Sequence, residues 1–537
     1  MSGFSPAAVF SDNCVLQRNK DICIFGYADD GAEVCAGIFD GTRLIDRNGT
    51  RAYGGKWKIF LKPMEAAENL TIEISSGNNT VRFSNVAVGE VWLAGGQSNM
   101  EFELQNCTEG SAELELTEDP GVRFYYTQKN AWMDDKFFEG EKKSAWQTWD
   151  SEKKKEWSAV GYFFAKKLSK DLGVTVGIIG CNWGGTSASA WMSKERLEKN
   201  ADFRSYIDEY EEGAKGKTIE EQCMEYGKFE SYHAEWSKKC EELYKKNPKI
   251  EWSEVQEILG KCQWPGPKNQ RSPYRPGGLH ECMIKRIAPY TLKGFLFYQG
   301  ESDDHKPDSY YALFREMIDQ WRTDWNETLP MIFVQLPENR YHQDEDLKNW
   351  CIIREAQAKI YRTVANTGMA TAAGLGQYDD IHPKAKKTLA ERMERNALFT
   401  AYKILDENQA NGPLFKSAVS RNGKMELEFD FAESGFVIKD DSETLEHYRY
   451  IEKLHGRTLP EDFTGFEIAG KDKIFYPASF SFGDCEKNPS VIIIGSEKVS
   501  EPVYARYAWY NYGPFTIYGR NGIPLPSFRT YGNDEGD

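Results

Sequence analysis

The pattern of hydrophobic and polar residues divides the chain into three parts. Up to residue 87, short runs that are apolar, or that alternate between apolar and polar residues, are separated by turn sequences rich in glycine, asparagine and aspartate. Examples of such runs are 22–26, 57–61 and 70–74. Strands at this spacing, without a helical period, predict a small β-sandwich over residues 1–87.

In the middle part, residues 88–410, apolar strands alternate with helix-like stretches. The strand-like runs are 91–94, 176–179, 294–298 and 331–336, and the helix-like stretches include 158–172 and 309–325. Buried strands that alternate with amphipathic helices predict an α/β domain, in which a parallel sheet is covered by helices on both faces.

A charged stretch, residues 195–265, interrupts this domain. It is rich in glutamate and lysine, and its aromatic residues include Tyr206, Tyr210, Tyr226, Trp236, Tyr244 and Trp252. We expect this stretch to form helices inserted into the α/β domain. Its charge favours a solvated helical hairpin over a binding surface, although aromatic side chains of this kind also line sugar clefts.

Strand-like segments return from residue 411 to the end of the sequence. Runs 425–429, 435–438 and 491–494 are apolar or alternate. We therefore expect a second β-sandwich over residues 411–537. No internal repeat or low-complexity tract accompanies these segments.

Composition and charge narrow the classes of function. The formal charge of −16 argues against nucleic acid and against anionic membranes, because both attract basic surfaces. No run of about 18 apolar residues could span a bilayer, and the first ten residues lack the pattern of a secretory signal, so we expect a cytoplasmic protein. The 11 scattered cysteines predict buried thiols and no disulfide scaffold or metal site. Nothing in the pattern indicates an oligomeric state.

A serine follows the first strand of the α/β domain. Val91–Ala94 leads into the segment Gly95–Met100, which reads GGQSNM. Ser98 in this turn would lie at the carboxyl end of a parallel sheet, where α/β proteins bind their ligands. Met100 stands where the nucleophile elbow of α/β-hydrolases requires glycine. An ordinary helix N-cap is the alternative role for Ser98.

Two further turns follow apolar strands of the same domain. Gly184 and Gly185 could bring a backbone N–H close to a ligand, although a plain turn between strand and helix explains them equally well. Gln299 offers a side-chain amide. In the same turn, Glu301 and Asp303 raise the alternative of a glycosidase with two carboxylates, for which a spacing of two residues is unconvincing.

One of the seven histidines is distinguished by its neighbours. His382 lies in the segment Tyr378–Pro383, which reads YDDIHP and precedes a helix-like stretch. Asp379, three residues earlier, can fold back to accept the Nδ1–H bond and leave Nε2 to face a serine, as in a serine triad. Asp380 is the alternative residue for this orienting role.

Together, these segments resemble the SGNH hydrolases, and within them the branch of sialate O-acetylesterases and related acetylxylan esterases. The matching segments, in the family's order, are Gly96–Met100, Gly184–Thr186, Tyr298–Ser302 and Asp379–Pro383. Val15–Arg18, Gly89–Trp92 and residues 522–530 are also similar to this family. The resemblance covers nearly the whole chain and fits the charged stretch least well.

The resemblance implies a fold and a set of reacting groups. The α/β domain would have the flavodoxin-like, three-layer fold of SGNH hydrolases, flanked by β-sandwich regions. Ser98 would be the nucleophile, His382 the general base and Asp379 the residue that orients the histidine.

The resemblance also implies an oxyanion hole and substrate contacts. The backbone N–H of Ser98, a backbone N–H from Gly184 or Gly185, and the Gln299 amide would stabilise the oxyanion. The residues implied to contact the substrate are Gln97, Trp191 and Glu301.

The implied activity is that of a carbohydrate O-acetylesterase, a serine hydrolase that removes acetyl groups from sugar hydroxyls through an acetyl-enzyme intermediate, without metal or cofactor. Its partner would be an acetylated carbohydrate. Sialate, acetylated xylan and acetylated mannan are alternative substrates, and Arg271 or Arg275 near the serine would favour the sialate carboxylate. A non-catalytic carbohydrate-binding protein is less favoured. A site that has lost its activity tends to lose at least one of its reacting groups, whereas Ser98, Asp379 and His382 are all present here.

Overall fold

The computed structural model describes residues 3–248, 250–341 and 344–532. Its N-terminal strands form two sheets around a shared core. One sheet is antiparallel and contains Ser5–Pro6, Ile22–Tyr27 and Lys56–Leu61. The other contains, in order, Arg43–Arg51, Glu33–Asp40, Ala67–Ser76 and Asn79–Gly96, with Val15–Gln17 beside the last strand. Every second residue of Lys56–Leu61 is buried, as a strand with one solvated face requires.

The strand Asn79–Gly96, which we call the long strand, belongs to both the N-terminal part and the α/β part. It pairs antiparallel with Ala67–Ser76 over its first half, and parallel with Val176–Asn182 and Gly294–Tyr298 over its second half. It runs without a break through the boundary predicted between residues 87 and 88. The two parts are therefore joined by a shared strand rather than by a linker.

Within the described residues, the α/β part contains six parallel strands. Their order across the sheet is Val122–Tyr126, Val176–Asn182, the long strand, Gly294–Tyr298, Met331–Gln335 and Thr367–Thr371. The longer helices that share its core are Ala159–Leu172, Pro307–Trp325, Asn349–Thr363 and Lys386–Thr400. Because the strands run in one direction, the loops after their carboxyl ends meet at one edge of the sheet.

Short helical segments fill the loops of the α/β part. The α-helical ones are Ser98–Glu101, Gly110–Leu114, Asp135–Glu141, Lys285–Ile287 and Glu407–Ala410. The 3-10 turns are Leu104–Asn106, Glu152–Glu156, Ala188–Trp191 and Glu301–Asp303, with one more, Ala201–Phe203, in the helical stretch described next; His280–Ile284 is π-helical. Every helix in the described ranges is too short or too polar to span a lipid bilayer.

Residues 194–264, which we call the insertion, are mainly helical, and Leu197 and Ile207 of the first two helices belong to the core of the α/β part. The helices are Lys194–Glu198, Arg204–Ala214, Ile219–Lys246 and Trp252–Leu259. The longest begins at a capping box, in which the side chains of Thr218 and Glu221 each accept a hydrogen bond from the other's backbone N–H. Trp236, Cys240 and Val255 form a small separate core, which fixes the last two helices against each other.

The C-terminal part has its own core and contains one helix that the sequence analysis did not predict. Its larger sheets contain, in order, Leu414–Arg421, Lys424–Asp430, Val491–Gly495 and Ser479–Phe482, and then Tyr476–Pro477, Phe466–Ala469, Tyr504–Tyr507 and Phe528–Arg529. Phe436–Ile438 pairs with Ile517–Gly519. The unpredicted helix, Ser442–Leu454, buries Tyr448 and Ile451, three residues apart on one face.

Candidate active site

Ser98 lies at the point where the long strand ends. Gly96, two residues earlier, has a φ of +130°, which other residues rarely adopt, and a Cβ there would lie 2.1 Å from the carbonyl oxygen of Tyr298. Glycine is therefore required for the chain to turn so close to its neighbour. The turn leads into the short helix Ser98–Glu101 and leaves Ser98 half-buried at the carboxyl edge of the sheet.

His382 faces Ser98 across this edge. It lies between the strand Thr367–Thr371 and the helix Lys386–Thr400, and its Nε2 is 2.8 Å from Ser98 Oγ. Burial and the nearby Lys386 ammonium together lower the pKa of the imidazole to about 4. The ring is therefore neutral at neutral pH, and its Nε2 can accept the hydroxyl proton.

The two aspartates before His382 are held by different partners. Asp379 has a φ of 56°, and its Oδ2 accepts hydrogen bonds from the Ser253 N–H at 3.2 Å and from Ser253 Oγ at 3.0 Å. Asp380 Oδ1 accepts from the backbone N–H of His382 at 2.9 Å, and its charge raises the pKa of His382. The structure thus ties Asp379 to the insertion and Asp380 to the histidine loop. Which carboxylate orients the imidazole stays a prediction.

Asn99 connects the serine turn to the histidine loop. Its Nδ2 donates to Glu301 Oε1 at 2.6 Å and to the Ile381 carbonyl at 2.9 Å, and its Oδ1 accepts from Lys386 Nζ. Asn99, Glu301 and Lys386, which we call the Asn99 cluster, are all buried. Because Asn99 is adjacent to Ser98, and Ile381 is adjacent to His382, the cluster positions both members of the Ser98–His382 pair.

The Asn99 cluster keeps two ionisable groups away from water. Burial raises the pKa of Glu301 to about 7 and lowers the pKa of Lys386 to about 7. The charge of each group favours the charged form of the other. Loss of either partner would leave the other buried without its opposite charge, and burial would then favour its neutral form.

Backbone N–H groups lie beside Ser98. Ser98 itself is the first residue of its helix, so its N–H has no partner within the helix. Gly184 is close, since a Cβ there would lie 3.3 Å from Ser98 Cβ, but its N–H donates to Glu101 Oε2 at 2.8 Å. The N–H of Gly185 has no hydrogen-bond partner among the described residues. The predicted backbone donors are thus near Ser98, and one of them is occupied by a carboxylate.

Gln97 contributes a fixed amide to the same site. Its Oε1 accepts hydrogen bonds from the N–H groups of Gly300 at 3.4 Å and Ser302 at 3.2 Å. These bonds orient the amide, and its Nε2 donates to no described residue. Gln97 lines the open space over Ser98, and its contact with a substrate stays a prediction.

The structure does not bring Gln299 or Trp191 to the serine. Gln299 is 1% exposed, and its Nε2 donates to the Thr186 carbonyl at 3.1 Å and to Asp303 Oδ2 at 2.6 Å. Both amide hydrogens are therefore directed away from an oxyanion at Ser98. Trp191 is 0% exposed, and its indole N–H donates to Thr186 Oγ1 at 2.9 Å. Both side chains are committed to the interior of the domain rather than to oxyanion or substrate.

The two carboxylates considered for a glycosidase are both buried. Glu301 lies at the floor of the open space over Ser98 and accepts from Asn99. Asp303 accepts from Ser187 Oγ at 2.6 Å and from the Ala188 N–H at 2.9 Å. A glycosidase requires two carboxyl groups on opposite sides of an open site, which this pair does not provide.

A cavity of about 880 Å³, which we call the cleft, opens over Ser98 and His382. Part of its wall comes from the insertion, whose aromatic lining residues are Tyr226, Phe229, Trp236, Trp252 and Trp264. The charge pattern predicted a solvated helical hairpin. The outer face of the insertion fits that prediction, whereas its inner face lines the cleft. Among the residues that the structure describes, no group of three or more His, Cys, Asp or Glu is placed to hold a metal ion.

Several residues that shape this site were not predicted from the sequence. Asn99 lies inside the matched serine segment, and Lys386 lies four residues after His382. Both positions are close in sequence to a predicted catalytic residue, and this proximity could have identified them as part of the site. Ser253 and Trp264 carried no such signal. Ser253 meets Asp379 across 126 positions of sequence, a contact that depends on how the whole insertion folds.

A solved structure shares the fold of this chain. A solved carbohydrate acetylesterase from Xanthomonas citri aligns with this chain at a TM-score of 0.72 and 24% sequence identity. The alignment covers 98% of this chain and 99% of that chain. At this identity, the likeness establishes a shared fold that includes all three parts of the chain.

The sequence then defines the family. The family model described as carbohydrate esterase, sialic acid-specific acetylesterase, matches residues 88–244 and 265–398. The match covers more than half of the chain, and the chain belongs to this family. The resemblance drawn from the four segments is confirmed.

Curated relatives extend the similarity beyond the matched ranges. The sialate O-acetylesterase of Mus musculus is 26% identical over 473 residues, which cover 80% of this chain and 79% of that protein. The sialate O-acetylesterase of Homo sapiens is 25% identical over 434 residues, which cover 74% of this chain and 71% of that protein.

Proposed function

We propose that this chain is a carbohydrate O-acetylesterase that uses Ser98 as its nucleophile and forms an acetyl-enzyme intermediate. The observation that carries the proposal is the 2.8 Å contact between Ser98 Oγ and His382 Nε2. A hydroxyl bonded to a neutral imidazole is the arrangement that activates a serine nucleophile. Membership of a carbohydrate esterase family supports the choice of an ester on a sugar.

In the first step, Ser98 Oγ attacks the carbonyl carbon of the acetyl ester while His382 Nε2 takes the hydroxyl proton. The backbone N–H groups of Ser98 and Gly185 and the Gln97 amide, whose residues all line the cleft, would stabilise the oxyanion. The bond between the acetyl carbon and the sugar oxygen then breaks, and His382 returns the proton to that oxygen. The products are the free sugar hydroxyl and an acetyl group on Ser98.

In the second step, water attacks the acetyl group on Ser98 and gives a proton to His382 Nε2. The bond between Ser98 Oγ and the acetyl carbon breaks, acetate leaves, and His382 returns the proton to Ser98. The hydrogen bonds of the Asn99 cluster keep His382 in place through both steps, since they hold the Ile381 carbonyl beside it.

We also propose that the α/β part has the three-layer fold of SGNH hydrolases. Six parallel strands with helices sharing their core support this fold. The four matched segments also follow strand ends of this sheet in the order that the family has.

Covalent trapping tests the nucleophile directly. We expect a fluorophosphonate to label the protein with one equivalent, and peptide mass spectrometry to place the adduct on Ser98, because His382 activates that hydroxyl. Ser302→Ala is a matched control, since Ser302 also lines the cleft, and this variant should label like the natural protein. An adduct on another serine would overturn the proposal.

The pH dependence of kcat/KM for 4-nitrophenyl acetate tests the role of His382. The base must be neutral, and its pKa is about 4, so we expect activity to hold down to about pH 4 and to fall below it. Lys386 lowers this pKa and Asp380 raises it. The acidic limb should therefore move to higher pH in Lys386→Met and to lower pH in Asp380→Asn. A limb near pH 6.5, or shifts in the same direction, would contradict the assignment.

A further inference from the structure

Part of the wall of the cleft is formed by residues that the family model does not match. The family model matches residues up to 244 and from 265 onward. The intervening residues that line the cleft are Trp252, Ser253, Gln256, Lys261, Cys262 and Trp264. This segment is therefore the place where the chain adds its own surface to a reaction centre shared with the family.

Trp264 presents an indole ring beside the reacting groups. It packs on Gly185, where a Cβ would lie 2.3 Å from the ring. Tyr274 holds it edge to face at a centroid distance of 4.8 Å, and His233 lies 5.2 Å away. Trp264 is nevertheless 44% exposed. A large apolar ring that is held in place and still open to a cleft is a platform for a flat ligand face.

The charge of the cleft points to the kind of ligand. Among the described residues that line it, the acidic ones are Glu101, Glu230, Glu301, Asp344 and Asp379, and the basic ones are Lys261, His233 and His382. No arginine is among these lining residues. A carboxylate ligand is best held by an arginine that donates two parallel hydrogen bonds, and neighbouring carboxylates would repel it.

The two arginines considered for a sialate carboxylate are engaged elsewhere. Arg275 Nη2 donates to Glu281 Oε2 at 3.0 Å and to the Ala131 carbonyl at 3.2 Å. Arg271 lies 3.6 Å from Asp134 and stacks near Trp132. Neither side chain lines the cleft.

We infer that the cleft takes an acetylated neutral sugar, whose ring packs against Trp264, rather than an acetylated sialic acid. This inference rests on the proposed function and specifies its substrate. The apolar face of a pyranose ring fits an indole surface, and the uncharged ring meets no repulsion from the carboxylates around it.

Three esters test the substrate class: 4-nitrophenyl acetate, acetylated xylo-oligosaccharide and 9-O-acetyl-N-acetylneuraminic acid. 4-Nitrophenyl acetate reports on Ser98 without a sugar. We expect kcat/KM to be at least about tenfold higher for the xylo-oligosaccharide than for the sialic acid. A sialic acid ester that is cleaved equally well or better overturns the inference and leaves the proposed function standing.

Binding measured without turnover keeps the two questions apart. In the Ser98→Ala variant, calorimetry should give a Kd for the acetylated xylo-oligosaccharide at least about tenfold lower than for the sialic acid ester. A reversed order overturns the inference. If the natural protein hydrolyses none of the three esters, the proposed function is overturned, whatever the binding result.

Substitution of Trp264 tests the platform. In Trp264→Ala we expect KM for the acetylated xylo-oligosaccharide to rise by about tenfold, and kcat/KM for 4-nitrophenyl acetate to fall by a clearly smaller factor, because that ester carries no sugar ring to pack on the indole. Trp264→Phe should restore part of the loss. Tyr450→Ala removes an aromatic side chain that is 62% exposed in the C-terminal part and should change neither rate. Equal losses on both esters would overturn the role of Trp264.

Discussion

Replacing Ser98 with alanine is expected to lower the rate of acetyl-ester hydrolysis by about 10⁴-fold or more, since the loss of a serine nucleophile removes the covalent route altogether. The residual rate would come from the remaining N–H donors and from binding. Acetate release from acetylated xylo-oligosaccharide and from 4-nitrophenyl acetate measures both the loss and its independence of the sugar.

The same variant should remain folded. Ser98 Oγ is hydrogen-bonded to His382 and lies half-buried at the edge of the sheet. Its removal therefore opens no sizeable cavity and leaves no fully buried polar group without a partner. We expect the Tm to change by only a few degrees. Ser302→Ala, in the same cleft, should keep both the rate and the Tm. Activity near the natural level in Ser98→Ala would refute the proposed function.

Replacing Asn99 with alanine is expected to have the second largest effect, although Asn99 does not touch the substrate. The variant removes the bonds from Asn99 to Glu301, Ile381 and Lys386. Each of these three groups left unpaired costs about 1–3 kcal/mol, so the free energy of unfolding should fall by at least about 3 kcal/mol. The rate should fall by about a hundredfold, because the loop with His382 loses its link to Ser98.

Urea unfolding and steady-state kinetics measure these two effects. A positioning role predicts that kcat falls while KM changes little, and that fluorophosphonate labelling of Ser98 slows in parallel. Asn106→Ala is a matched control, because Asn106 is exposed and its Nδ2 donates to Glu103 at 3.2 Å. Natural labelling rates in a folded Asn99→Ala would show that the cluster serves stability alone.

The sequence predicted the strands of the sheet and the pair at its edge, because both depend on local pattern. Runs such as 294–298 are buried on both faces, so they are apolar throughout, and the structure has Gly294–Tyr298 as a strand. Ser98 and His382 follow strand ends, and parallel strands bring their carboxyl ends to one edge. The contact between these two residues follows from that topology.

The missed features depend on distant parts of the chain. An amide such as Gln299 looks the same in sequence whether it faces a ligand or, as here, the Thr186 carbonyl. The face of the insertion that lines the cleft is set by how its helices pack on the α/β part, which their charge pattern does not encode. The helix Ser442–Leu454 lies among strands whose alternation dominates the surrounding sequence.

The long strand has a consequence for how tightly the position of Ser98 is set. A strand advances about 3.3 Å per residue, and a slip of one residue turns every side chain to the opposite face. The long strand is paired along its length with N-terminal strands and with the parallel sheet. One inserted or deleted residue between Val86 and Gly96 would therefore shift the register of the long strand either against the N-terminal strands or against the parallel sheet. The N-terminal strands thus share in fixing the depth at which Ser98 meets His382, although they contribute no residue to the cleft.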